Sequence, residues 1–363
     1  MRSMEQHRAD AGRRPAKVTV RRIAEAAHVS PATVSKALND TGRIAPETRR
    51  MIRRIADELG YRRSAVAHAP RRTGIIAVAT TDLKSSFITD LLEGVEQALG
   101  TTAYCATVLY THEDPELEER QINRIASHGI DGLILTGSNT DARSSLRDRV
   151  TMGLPTVYAY APSRDPGDCS VVADNVRAGR DAIARLIAYG CTRIALIGAE
   201  EHWAASTDRI NGALRELGDR GLTPVTPIQF GSWEQDWGVI ATERLLDAGN
   251  RIDGIYCVND LVARGAIELL RSRGLRVPED VAVVGHDNRS VAYATHPTIA
   301  TFTNNLTGVG ALAATLLVSA IYGEFRPDVT TTACPPVFGE SCPVGARVAE
   351  TAPDRRWIDL ALR

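Results

Sequence analysis

Between Gly74 and residue 321 the chain alternates between short apolar runs and segments whose apolar residues recur every three to four positions. "GIIAVAT" reads as a buried strand, and the next segment places Phe87, Leu91, Val95 and Leu99 on one helical face. "AYCATVLY", a helix opened by Asp114-Pro115 and running through Ile125, "DGLILTG" and "PTVYAY" continue the series. After "CSVVADN" the alternation restarts. It runs through helix 176–189, strand "RIALIG", a helix from Ser206 to Leu217, strand "IQF", helix 234–248, strand "GIYCVN", helix 261–273, strand "VAVVGHD" and a last helix over 306–321. This order predicts an α/β fold of parallel sheets with helices on both faces, and the restart near residue 170 predicts two lobes. Ligands in such folds bind beyond the C-terminal ends of the strands. There the chain places Thr81-Asp82, Tyr160, Asn259-Asp260 and Asp287-Asn288.

The first 72 residues are of another kind. They carry 17 Lys and Arg against 7 Asp and Glu, a net +10, while the remainder carries a net −11. A basic head on an acidic body points to a polyanionic partner for the head alone. Residues 1–16 have no apolar period and are expected to form a disordered basic arm. Residues 17–63 predict three helices. Thr19 caps the first, with apolar positions at 20, 23, 24 and 27, and His28-Val29-Ser30 is a short turn. Ser30 caps the second, whose first position is Pro31, where a missing N–H costs nothing. This helix buries Val34, Ala37 and Leu38 and leaves Ala32, Thr33, Ser35 and Lys36 to face outward. The third buries Met51, Ile52, Ile55 and Leu59 and ends at Gly60.

Such a trio is a small all-α helix-turn-helix module. A helix that enters a DNA major groove needs small side chains at its N-terminal end to approach the base edges. The hydroxyls of Ser30, Thr33 and Ser35, together with Lys36 and Asn39, can bond phosphates or bases. Residues 64–73, basic and containing Pro70, are expected to be a hinge, 74–345 the two-lobed body and 346–363 a tail.

Other classes of function find little support. No run of 18 apolar residues marks a membrane span, and the N-terminal stretch has no apolar signal core, so a cytoplasmic location is expected. Cys105, Cys169, Cys191, Cys257, Cys334 and Cys342 lack metal-ligand spacing and are expected to be buried, reduced thiols. GxSxG, HExxH and GxxxxGK[ST] are missing, so neither an enzyme nor a metal or cofactor is expected. "GVGALA" at 308–313 imitates a dinucleotide fingerprint but opens the last helix, where close packing accounts for its glycines. A transport-type solute receptor would fit the body but not the basic head.

The chain resembles the lactose-repressor (LacI/GalR) family of bacterial transcription regulators from about Val18 to Ser341. The likeness lies in "VTVRRIAEAAHVSPATVSKALNDTGRIAPETRRMIRRIADELGY" and in the body segments "ADNVRAGRDAIARLIAYGCTRIALIG", "DRINGALRELGDRGL", "YCVNDLVARGAIELLRSRGLRVPEDVAVVGHDN" and "HPTIATF". It implies a homodimer that presents two heads to a near-palindromic operator in double-stranded DNA. It also implies a small-molecule effector held between lobes that resemble periplasmic sugar-binding proteins.

The resemblance assigns base reading to Pro31, Ala32 and Lys36, the last where the family usually has Arg. It assigns phosphate contact or capping to Thr19, Ser30, Thr33, Ser35 and Asn39, and hinge contacts to Ala65, Val66 and Ala67, with Pro70 near the family's minor-groove Leu. For the effector it implies Arg209, Asp287 and Asn259, with Asp260 capping the following helix. Trp233 either stacks on a sugar or packs beneath a loop. Thr81, Asp82, Phe87, Tyr160 and Asn305 complete the implied lining, with Tyr160 where many members carry Asp.

Overall fold

The computed structural model describes residues 19–38, 44–59, 72–83, 86–146 and 153–345. The expected arm, Asn39, Gly60, the hinge residues Ala65, Val66 and Ala67, and the tail lie outside these. The chain divides into one unit over 1–71 and a second over 72–363.

In the first unit α1 (Val20–Ala26), α2 (Pro31–Leu38) and α3 (Pro46–Glu58) enclose a core of Ile23, Ala24, Ala27, Val34, Ala37, Ile52 and Ala56. Thr19 caps α1, its Oγ1 accepting from the Arg22 N–H at 3.4 Å. Ser30 Oγ accepts from the Thr33 N–H at 3.1 Å at the start of α2. Between them His28, at φ 51°, turns the chain. The core is small, and Ile23, Val34 and Ile52 are its fully enclosed large residues, each contributing roughly 1.5–3 kcal/mol.

The second unit begins with β1 (Ile75–Thr80), α4 (Ser86–Leu99), β2 (Cys105–Tyr110), α5 (Pro115–His128), β3 (Gly132–Leu135), β4 (Thr156–Ala159) and β5 (Cys169–Ala173). The second lobe follows with α6 (Asn175–Tyr189), β6 (Ile194–Ile197), α7 (Ala204–Asp219), α8 (Gln235–Asp247), β7 (Gly254–Cys257), α9 (Asp260–Ser272), β8 (Ala282–Val284), α10 (Ser290–Ala294) and β9 (Thr301–Phe302). Then α11 (Leu306–Ile321) and β10 (Asp328–Thr332) return to the first lobe, and β11 (Pro336–Val337) pairs antiparallel with β9. The first lobe's sheet, in the order β10-β5-β4-β3-β1-β2, is parallel throughout, as is the second lobe's β6-β7-β8. Three crossings therefore join the lobes, after β5, β9 and β10.

Two expectations change here. "IQF" forms no strand: Gln229 makes one parallel bridge to Ile197, because Pro227 and Gly231 flank it too closely for a ladder to extend. Cys105 is exposed, since β2 is the edge strand and presents one face outward, while the other five cysteines are buried, and none of the six is in a disulfide.

Glycine sets the helix spacing that supports the site. A Cβ on Gly310 of α11 would lie 2.0 Å from the Leu91 carbonyl oxygen of α4, which accounts for this part of the "GVGALA" run. A Cβ on Gly179 of α6 would likewise lie 2.0 Å from the carbonyl oxygen of Arg209 on α7. Arg209 is thus backed by a helix contact that admits no side chain.

Candidate functional site

In the head, α2 sorts its residues by face. Val34 and Ala37 are buried, whereas Pro31, Ala32, Ser35 and Lys36 are exposed and Thr33 half-buried. Ser30 Oγ and Thr33 Oγ1 lie 2.8 Å apart, so two hydroxyls share a hydrogen bond at the helix start. The exposed face carries only small side chains until Lys36, the geometry that close approach to a nucleic-acid groove requires.

In the body, strand ends from both lobes converge on Arg209. This side chain is 3% exposed. Its Nε donates to Asn175 Oδ1 at 2.8 Å, one Nη to the Val258 carbonyl at 2.6 Å and to Asp287 Oδ1 at 2.9 Å, and the other Nη to Asn304 Oδ1 at 2.8 Å. Asn304 Nδ2 closes the ring by donating to the same Asp287 oxygen at 2.9 Å. Asp287 itself has φ 97°, a left-handed geometry that an acidic residue adopts more readily than most. Beside this cluster His286 is held neutral: burial, then the charge of Arg209, lowers its pKa well below the usual value.

From the first lobe Phe87 and Tyr160 face this polar cluster as a stacked pair, with ring centroids 6.1 Å apart. The Tyr160 phenol is pushed up to about 12, first by burial and then by the Asp287 carboxylate. The Arg289 guanidinium lies over Phe87, 4.5 Å from the ring centroid, and spans the lobes. Asp82, Phe87 and Tyr160, with Thr136, Gly137 and Ser138, line a cavity of only about 20 Å3. That is room for about one water, so this face of the first lobe is tightly packed around Phe87 and Tyr160.

The expected lining divides on this geometry. Asp82, Phe87, Tyr160, Arg209 and Asp287 come together. Thr81 lines a neighbouring first-lobe cavity of about 350 Å3, which also meets the ion pair of buried Glu118 with half-buried Arg143. Asn305 is turned away: at φ 50° its Oδ1 accepts from Gly308 N–H at 3.3 Å and caps α11, while Nδ2 donates to the Ala333 carbonyl. Its neighbour Asn304 holds the cluster instead.

The cap of α9 expected of Asp260 is made by Asn259. Asn259, in extended conformation, caps α9 through the Val262 N–H at 2.8 Å and donates to the Trp233 carbonyl at 2.7 Å. Asp260, one residue inside the helix and fully buried, instead accepts from Thr301 Oγ1 at 2.6 Å and from the Arg289 N–H at 2.8 Å. It thereby fixes the loop that carries Asp287 and Arg289. Trp233 packs against Trp203, ring centroids 5.7 Å apart. Asn175, Asn304 and Arg289 are the participants that periodicity alone did not single out.

Burial, and next the Asp287 charge, raise the Asp260 carboxyl to about 8. Between about pH 4, where a free Asp titrates, and pH 8 the folded protein therefore keeps a proton that the unfolded chain releases. Stability is expected to fall as pH rises across that window, and Asp260→Asn should flatten the slope. Urea midpoints measured every half unit of pH test this. An unchanged slope in the variant removes Asp260 as its source.

A helix-turn-helix module and a two-lobed α/β receptor in one chain define a transcription regulator with a DNA-binding head and an effector-binding domain. Residues 19–64 match the family of bacterial regulatory proteins of the lacI type, and residues 183–342 match the periplasmic binding protein-like domain. The HTH-type transcriptional regulator CelR of Thermobifida fusca is 32% identical over 328 residues, covering 87% of this chain and 95% of the relative. DegA of Bacillus subtilis, another HTH-type transcriptional regulator, is 30% identical over 81% of this chain and 89% of its own. A solved complex of CelR with cellobiose superposes with a TM-score of 0.62 at 28% identity, covering 89% of this chain and 99% of that one. The chain belongs to the LacI family of bacterial transcription regulators, and like these relatives it is a regulator and not an enzyme. Among the described residues no helix is long and apolar enough to cross a membrane.

Proposed function

We propose that this regulator is a repressor that binds a near-palindromic operator as a homodimer and is switched by a small, polar, sugar-like effector in the cleft between its lobes. The observation that carries the proposal is the pairing of two surfaces in one chain: the small-residue face of α2 and the buried Arg209–Asp287–Asn304 cluster beneath Phe87 and Tyr160.

A single short recognition helix reaches base edges with only about three or four side chains, so operator-level specificity calls for two heads. In the head, Pro31 and Ala32 offer apolar contact, for instance to a thymine methyl, and Lys36 offers a donor to guanine. Thr19, Ser30, Thr33, Ser35 and Asn39 serve phosphates or caps, and Ala65, Val66 and Ala67 serve as hinge contacts. In the body, Arg209 and Asp287 offer a donor and an acceptor side by side, which suits the hydroxyls of a neutral sugar. Phe87 and Tyr160 offer an apolar face, and Trp233 and Asn259 shape the wall behind. Thr81, Asp82 and Asn305 are the outer members of this assignment, with Asn305 acting through its cap. Cellobiose in the CelR complex sets the class of ligand with which to begin. The protein acts in the cytoplasm, on chromosomal DNA.

Two experiments test this. Thermal-shift screening against cellobiose, monosaccharides, polyols, sugar acids and nucleobases should give a rise for a sugar, since a ligand of the native state stabilises by mass action. No shift from any sugar at millimolar concentration refutes the effector class. Lys36→Ala is expected to weaken operator binding by roughly 1–3 kcal/mol and to relax preference at one symmetric pair of base positions. Unchanged discrimination across a base-substituted operator panel removes Lys36 from base reading.

A further inference from the structure

The N-terminus of α7 is capped from the opposite lobe. Trp203 stands at its N-cap position and supplies no side-chain hydrogen bond. The acceptor comes instead from Asp141 of the first lobe, whose Oδ1 takes the Ala204 N–H at 2.7 Å. Asp141 is itself held in place, its own N–H donating to Asn139 Oδ1 at 2.8 Å. A carboxylate at this end of a 16-residue helix also meets the positive end of the helix dipole. The same helix bears Arg209 one and a half turns further on, and the only acceptor that reaches Ala204 N–H among the described residues lies across the cleft.

We propose that Asp141 is the latch of the cleft: by capping α7 from the facing lobe it holds the two lobes closed before any ligand arrives. When the lobes separate, the Ala204 N–H loses its protein partner, and the cap free energy becomes an opening cost. The Arg289–Phe87 contact lies across the same cleft and breaks in the same motion. A ligand that enters must first draw on the open population, and one that fits the closed form is then retained by the cap. This last consequence rests on the effector-cleft reading; the latch does not.

The test is hydrogen exchange by mass spectrometry on the full-length protein with no ligand added. Losing a helix cap corresponds to about a fivefold to thirtyfold drop in the closed-to-open ratio. Asp141→Ala should therefore speed exchange by that factor in the first turn of α7, over 204–207. It should do so equally in the segments that meet across the cleft, 86–91 and 287–293. Asp141→Asn, whose amide oxygen still accepts from the Ala204 N–H, should remain near wild type. A change confined to 204–207 would make Asp141 a local cap and overturn the latch. So would no change, or equal loss in the Asn variant. Because no effector is present, these outcomes leave the effector reading untouched, and a failed sugar screen would leave the latch standing.

Discussion

Arg209→Ala is expected to abolish the effector response and to lower the stability of the body by about 3–5 kcal/mol, the cost of removing one partner from a buried ion pair. The second effect follows from the geometry. Four acceptors converge on one guanidinium, and truncation leaves the Asp287 carboxylate, with its side chain 10% exposed, held among the described residues only by Asn304 Nδ2. Urea denaturation reads the stability and a thermal-shift titration with the sugar that binds wild type reads the response. The two are separated by Arg209→Met combined with Asp287→Asn, which removes both charges together. That variant is expected to regain much of the stability, because balanced removal of a buried pair costs little, yet to remain unresponsive. A wild-type response from either variant at the same ligand concentration removes Arg209 and Asp287 from effector binding.

The parts of this site that were legible in the sequence are those with a period. The alternation of strand and helix placed Tyr160 and Asp287 at strand ends, whereas Arg209 was implied by the family resemblance, and the last helix runs over 306–321 as the spacing indicates. What periodicity does not decide is which of two adjacent polar residues points inward. Asn and Asp are equally good N-caps, so "ND" at 259–260 is ambiguous until the backbone shows that Asn259 is extended and Asp260 already helical. The "NN" at 304–305 is the same problem, settled by the left-handed backbone of Asn305. β10 was silent for another reason. Its burial is irregular along "DVTTT", and its place beside β5 depends on the chain returning to the first lobe, a long-range pairing that no local pattern reports. The cross-lobe cap is of this kind too, for Asp141 and Ala204 lie far apart in the chain.

Operator affinity is expected to fall by about 10^3–10^5 between 50 and 200 mM salt, the drop that neutralising 6–10 phosphates brings through counterion release. The charge for this is concentrated in the head, whose first 72 residues carry a net +10. Several of its cations are already paired, Arg21 with Glu25 and Arg54 with Glu58, both at 3.6 Å. These pairs are exposed and worth little, so a phosphate competes for either Arg at small cost. The body contributes the opposite sign, a net −11, and long-range repulsion from it is itself screened by salt. If body repulsion governed association, affinity would rise with salt; if the head governs, it falls steeply and log–log linearly. Lys36→Ala supplies the internal check, since loss of one phosphate-neutralising cation should reduce the slope by about 1, whereas loss of a purely base-directed contact leaves it unchanged. Fluorescence anisotropy of a labelled operator across that salt range decides between them, and a flat plot would remove the basic head as the DNA contact.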